Sequence, residues 1–184
     1  MLEHLDHIRQ RYQIFANDIY TLTGFLIGYG LVNYRDDSFL TDFQSYISKK
    51  NKVSLNVPFQ HQISLEAGNK EYEVPIFFTY LDEFRGIEYE CLGATQLSYE
   101  QKCFDFQRRI KDLNLEYPKL PIEPPHKLKI VKIPNVKVHA FYYDKNDRKY
   151  YEQCFIDFEE AQKWAKFCFN IDRKQWGLLQ TNPN

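Results

Sequence analysis

The last third of the chain constrains the fold most. Lys127–Ile133, Val136–Tyr143 and Lys149–Ile156 are rich in β-branched and aromatic residues and read as three strands. The polar tip Asp144-Lys-Asn-Asp147 joins the last two as a hairpin. Directly afterwards, Asp157-Phe-Glu-Glu160 has the form of a capping box, and Phe158, Ala161, Ala165 and Cys168 follow on one helical face widened by Trp164 and Phe167. A β-β-β-α unit over 127–184 is the expectation.

The first part has another period. Leu2, Leu5, Ile8, Tyr12, Phe15, Ile19, Leu22 and Leu26 recur at steps of three and four, an apolar helical stripe. A single helix of that length would run about 45 Å, so a break is expected near Ala16-Asn17 or at Gly24. Ser38 opens a second helix to about Lys50, with Phe39, Leu40, Phe43, Tyr46 and Ile47 on its apolar face. Val53, Leu55 and Val57 alternate with polar residues, which predicts a strand ended by Pro58; His61–Leu65 reads as a further short strand or a helical turn. Val74, Phe77, Phe78, Leu81 and Phe84 fit a helix with Pro75 in its first turn. Ile87–Leu92 reads as a short strand or loop. Ser98-Tyr-Glu-Gln101 is a capping box for a helix over about 99–114.

Pro118, Pro121, Pro124 and Pro125 form a stiff connector. The expected organisation is therefore an α+β fold: a mainly helical domain over 1–117, a connector over 118–126, and the β-β-β-α unit over 127–184 packed on the first.

Net charge is −1, so no global field draws nucleic acid or membrane lipid. The charge is divided unevenly, with 12 Lys/Arg against 17 Asp/Glu in 1–117 and 12 against 8 in 118–184. Such a split fits two faces with different partners, or two halves that attract each other. Four cysteines lack CxxC spacing, and no stretch approaches the roughly 20 apolar residues of a membrane span. A cytoplasmic protein with reduced thiols is expected.

Candidate chemistry is sparse. His4 and His7 lie one helical turn apart but lack a third ligand at metal spacing. Cys91 with His126 or His139 could form a thiol–imidazole pair, the basis of a hydrolase alternative. No Gly-rich phosphate loop is present, and neither a metal nor another cofactor is expected. The carboxylate pair Glu88/Glu90 lacks the following Lys of a metal-dependent nuclease. In the hairpin, Lys137, Tyr143, Arg148, Lys149 and Tyr151 interleave bases with aromatics, which on an exposed sheet face could stack nucleobases.

Gly24-Phe-Leu-Ile-Gly28-Tyr29, then Phe39-Leu40-x-x-Phe43-x-x-Tyr46-Ile47, then Phe77-Phe78-x-x-Leu81-Asp82-Glu83-Phe84 follow one another, largely as core positions. In this order and spacing the chain resembles small bacterial proteins of the toxin-immunity type over about residues 19–85. It departs from them where Val57-Pro58-Phe59 stands in place of a linker Trp. The resemblance implies a cytosolic inhibitor that occludes one cognate toxin and catalyses nothing. Under that reading an acidic face comprising Asp36, Asp37, Asp82, Glu83, Glu88 and Glu90 would steer a basic partner.

Overall fold

The computed structural model describes residues 2–10, 16, 18–33, 38–98, 101, 125–134 and 137–177. Among them are six α-helices and one four-stranded antiparallel sheet, an α+β protein with its helices concentrated in the N-terminal half. The chain divides into two compact units, Met1–Glu88 and Tyr89–Asn184. The division precedes the connector expected at 118–126 because the strand Glu90–Gln96 pairs with Lys127–Lys132, tying residues on both sides of that segment into one sheet.

The first unit contains α1 (Leu2–Arg9), α2 (Ile19–Asn33), α3 (Ser38–Asn51), α4 (Phe59–Ala67) and α5 (Lys70–Phe84). The apolar stripe breaks at Ala16, not at Gly24: Ala16 is non-helical, and α2 begins only at Ile19. Two acidic groups hold that start. Asp18 Oδ1 accepts from Thr21 N at 2.8 Å, which lowers its carboxyl pKa, and buried Glu73 accepts from Ile19 N at 3.0 Å.

The strand expected over Val53–Val57 does not form. Gln44 of α3 holds that segment as a turn instead, donating to the Val57 carbonyl at 2.9 Å and accepting from Phe59 N at 2.6 Å. Gln62 also donates to the Val57 carbonyl. Pro58 precedes α4 without a side-chain cap, so the Gln44 amide serves one of the helix's orphan N–H groups. His61–Leu65 lies within α4, which closes on Gly68 in the left-handed region. Pro75 stands in the second turn of α5 rather than the first, after the cap by Asn69.

Phe43 centres the core of this unit. Its ring lies 5.3 Å from those of Phe59 and Phe77 and 5.6 Å from that of Phe84, all edge-on. Such pairs contribute about 0.5–1.5 kcal/mol each beyond area burial. The three helices α3, α4 and α5 are thereby fixed around one side chain.

In the second unit β1 (Glu90–Gln96), β2 (Lys127–Lys132), β3 (Val138–Tyr143) and β4 (Lys149–Phe155) run antiparallel in the order 1-2-3-4. The three expected strands are present, and β1 overlaps the stretch Ile87–Leu92 expected as a short strand or loop but lies later, over Glu90–Gln96. α6 (Phe158–Phe169) follows, with Asp157 accepting from Glu160 N at 2.8 Å. The reciprocal bond comes from Ile156 N, which donates to Glu160 Oε2 at 2.6 Å.

α6 covers the sheet face carrying Tyr142, Tyr151 and Phe155. Trp164 Nε1 donates to Tyr142 Oη at 3.2 Å, and the Phe169 ring lies 6.0 Å from that of Tyr142. Gly93 lies on this face too, where a Cβ would stand 3.3 Å from the Trp176 ring and 3.4 Å from that of Phe158. Ser98 and Gln101 make both bonds of their capping box; the helix expected after them and Pro118, Pro121 and Pro124 lie outside the described residues.

Candidate functional site

The acidic residues separate into different environments. Asp36 and Asp37 lie outside the described residues. Asp82, expected on a solvated face, is buried: its Oδ1 is 2.7 Å from Arg9 Nη1, with both side chains 1% exposed. The reason is helical spacing, since Val74, Phe78 and Asp82 follow one another at steps of four along the buried side of α5. Glu83 is exposed but engaged, accepting from Tyr46 Oη at 3.0 Å and forming an ion pair with Lys50. Burial, followed by the bond to Glu83 and its charge, pushes the Tyr46 phenol up to about 12. Glu88 and Glu90 are exposed, one ending the first unit and the other starting β1 in the second.

The hairpin residues do not share an exposed face. Tyr151 is buried under α6, and Lys149 is buried with its Nζ 2.9 Å from Glu152 Oε2 and 4.1 Å from the Phe141 ring centroid. Tyr143 is half-buried, with Lys127 and Lys129 over its ring. Burial, then Asp147, Cys91 and Glu152, raises the Tyr143 phenol. Arg148 is exposed and paired with Asp144 at 3.2 Å. Lys137 is exposed ahead of β3, six residues from Tyr143 and hence about 20 Å along an extended chain. Stacked nucleobases would find no continuous aromatic and basic platform in this arrangement.

The sheet face bearing Lys149 carries a cluster that sequence did not assemble. His139, Phe141 and Tyr143 stand opposite Cys154, Glu152 and Lys149 in the β3–β4 register. His139 Nδ1 is 3.7 Å from Glu152 Oε1, with both side chains 1% exposed. The pairs considered from sequence are farther apart. Cys91 opposes Val131, which in turn opposes His139, so a strand intervenes. His126 lies beyond the other end of β2, where its carbonyl accepts from Leu97 N. Among the described residues no group of three or more His, Cys, Asp and Glu could hold a metal ion.

A second surface was not singled out in the sequence: the outer side of α2. Its fifteen residues include no Asp, Glu, Lys or Arg, and most of them are apolar. Ile19, Leu22 and Leu26 enter the core, whereas Tyr20, Phe25 and Ile27 are 54%, 38% and 44% exposed. Gly24 and Gly28 are exposed among them, each with open space where a Cβ would stand. Three large apolar residues thus flank a shallow two-glycine track. The available signal was composition: a helix apolar all round must present its remaining sides to something if it buries only one. At fifteen residues α2 is too short for a bilayer, and among the described residues no helix is long and apolar enough to cross a membrane.

Comparison with protein-family models, with characterised proteins and with solved structures finds no match.

Proposed function

We propose that the protein is a non-catalytic protein-binding module that acts by occluding its partner, a cognate bacterial toxin. The observation carrying this reading is the outer side of α2. Exposed apolar side chains scattered singly are ordinary, but Tyr20 and Ile27 stand seven residues apart on one side of a helix without charge. Grouped exposure of this kind marks contact surfaces, and aromatic residues are enriched at the centres of protein interfaces.

The toxin-immunity resemblance supplies the class of partner. Its first segment, Gly24-Phe-Leu-Ile-Gly28, combines one core residue, Leu26, with four surface positions. Packing accounts for Leu26, whereas Gly24, Ile27 and Gly28 are exposed and available to a partner. Glu88 and Glu90 remain as exposed carboxylates able to steer a basic partner, a role that excludes buried Asp82.

The test is affinity capture from the native host with wild-type protein, Ile27→Glu and Glu88→Gln/Glu90→Gln, together with growth protection against the captured protein. The reading expects one protein retained by wild type, lost by Ile27→Glu, and bound more slowly by the carboxylate variant. It also expects the captured protein to arrest growth when expressed alone. Equal retention by wild type and Ile27→Glu, or a captured protein without toxicity, would overturn it.

A further inference from the structure

The sheet face around Phe141 suggests chemistry that protein binding does not use. Cys154 on β4 lies directly opposite His139 on β3, and directly opposed residues hold their Cβ atoms about 4.5–5.5 Å apart. Glu152, two residues before Cys154 on the same face, places Oε1 3.7 Å from His139 Nδ1 and Oε2 2.9 Å from Lys149 Nζ. His139 and Glu152 are each 1% exposed, whereas Cys154 is only partly buried. A thiol, an imidazole and a carboxylate are thus aligned across two strands, with the thiol nearest solvent.

We propose that Cys154 is a reactive thiol whose proton passes to His139, that Glu152 positions the imidazole, and that the modifying reagent is a small peroxide. In the resting structure Sγ lies 3.9 Å from the carbonyl oxygen of Phe155, its own neighbour, in a weak S–H···O contact. For the transfer, χ1 must rotate to a staggered well that releases that contact and brings the thiol to His139.

Proton transfer from Cys154 to His139 sets the new thiolate beside the new imidazolium, which lies next to the Glu152 carboxylate. The carboxylate beside Nδ1 favours the imidazolium, and a neighbouring imidazolium favours the thiolate.

In the reaction the thiolate sulfur attacks one oxygen of hydrogen peroxide. An S–O bond forms as the O–O bond breaks, and the leaving hydroxide takes the proton from His139 to become water. Sulfur is oxidised to the sulfenic acid and the peroxide is reduced, so that RSH and H2O2 give RSOH and H2O.

Cys91 provides the internal control. It is also only partly buried and belongs to the same sheet, but it opposes Val131 instead of a histidine. The full chain is treated with limiting hydrogen peroxide, the sulfenic acid is trapped with a dione, and each cysteine is quantified by mass spectrometry. Iodoacetamide rates between pH 6 and 9 are measured in parallel.

Cys154 is expected to react at least about tenfold faster than Cys91 at pH 7. His139→Gln should reduce the Cys154 rate by a similar factor, with a smaller loss in Glu152→Gln. Wild type should retain its alkylation rate to lower pH than His139→Gln. Equal rates at Cys154 and Cys91, or an unchanged Cys154 rate in a folded His139→Gln protein, would overturn the proposal. If His139→Gln fails to fold, the wild-type profile decides: a Cys154 rate rising with pH as it does for a free thiol would also overturn it.

Discussion

Arg9 and Asp82 meet at 2.7 Å across 73 residues of sequence, each with its side chain 1% exposed. The Arg9 guanidinium also lies 5.2 Å from the centroid of the Phe78 ring, one turn before Asp82 on α5. A little farther along, Arg85 grips Asp6 through two bonds of 2.6 and 3.1 Å. The short α1 is thus joined to α5 and to its C-cap residue by two ion pairs, one buried and one partly buried.

Asp82→Asn removes the carboxylate of a buried ion pair, so the expected loss is about 3–5 kcal/mol of stability. Arg9→Met/Asp82→Leu removes both charges and should recover most of that loss. Urea denaturation compares the three proteins directly. A single variant as stable as wild type would show that the pair contributes little.

Glu73 anchors the beginning of α2 from the neighbouring helix. It accepts from Ile19 N at 3.0 Å and from Ser64 Oγ at 2.7 Å while 5% exposed. Glu73→Ala orphans both donors and should cost about 2–4 kcal/mol, counting roughly 1–2 for each lost bond. Amide hydrogen exchange at Ile19 and Tyr20 should accelerate more than exchange in α4. Uniform acceleration through the unit would contradict a local anchor.

Tyr46 makes stability fall in alkali. Its phenol is pushed up to about 12 from the ordinary 10.0, so the folded chain retains a proton that the unfolded chain releases. The contribution is complete below about pH 10 and is lost as pH rises through about 12. Tyr80 shifts in the same direction, through burial and its bond to Glu66. Urea midpoints of wild type should drop between pH 9 and 11.5, and Tyr46→Phe should drop less. Parallel curves would contradict the assignment.

Gly68 closes α4 at φ 65°, and a Cβ there would meet nothing within 4 Å. The cost of Gly68→Ala is therefore backbone strain alone, about 1 kcal/mol. A thermal melt should show a small downward shift with unchanged cooperativity. No shift would mean that the turn relaxes out of the left-handed region.

Much of this fold follows from local pattern, and its departures have local causes. The break at Ala16, the cap at Asp157 and the three later strands are visible because period and capping chemistry agree. The alternation Val53-x-Leu55-x-Val57 suggests a strand, but Gln44 from another helix takes the hydrogen bonds that a strand would need. β1 is hard to read because Gly93 and the register shift between Cys91 and Gly93 interrupt its alternation.

Candidate sites were less legible than elements for the same reason. Asp82 stands at a buried spacing, but the Arg9 that admits a charge there is remote in sequence. Cys154, His139 and Glu152 meet only through the β3–β4 register, which residue types alone do not give. The exposed side of α2 was available from composition, since a charge-free helix at the surface of a charged protein carries an apolar face towards something.

The most direct measurement of the central claim replaces Ile27 with a photo-crosslinking residue and places the same residue at Asp42, an exposed position on α3. Irradiation in the native host should link position 27 to one protein, the captured toxin, and position 42 to none. Crosslinking at Asp42 equal to that at Ile27, or no crosslink at Ile27 while the partner is present, would contradict a contact surface on α2.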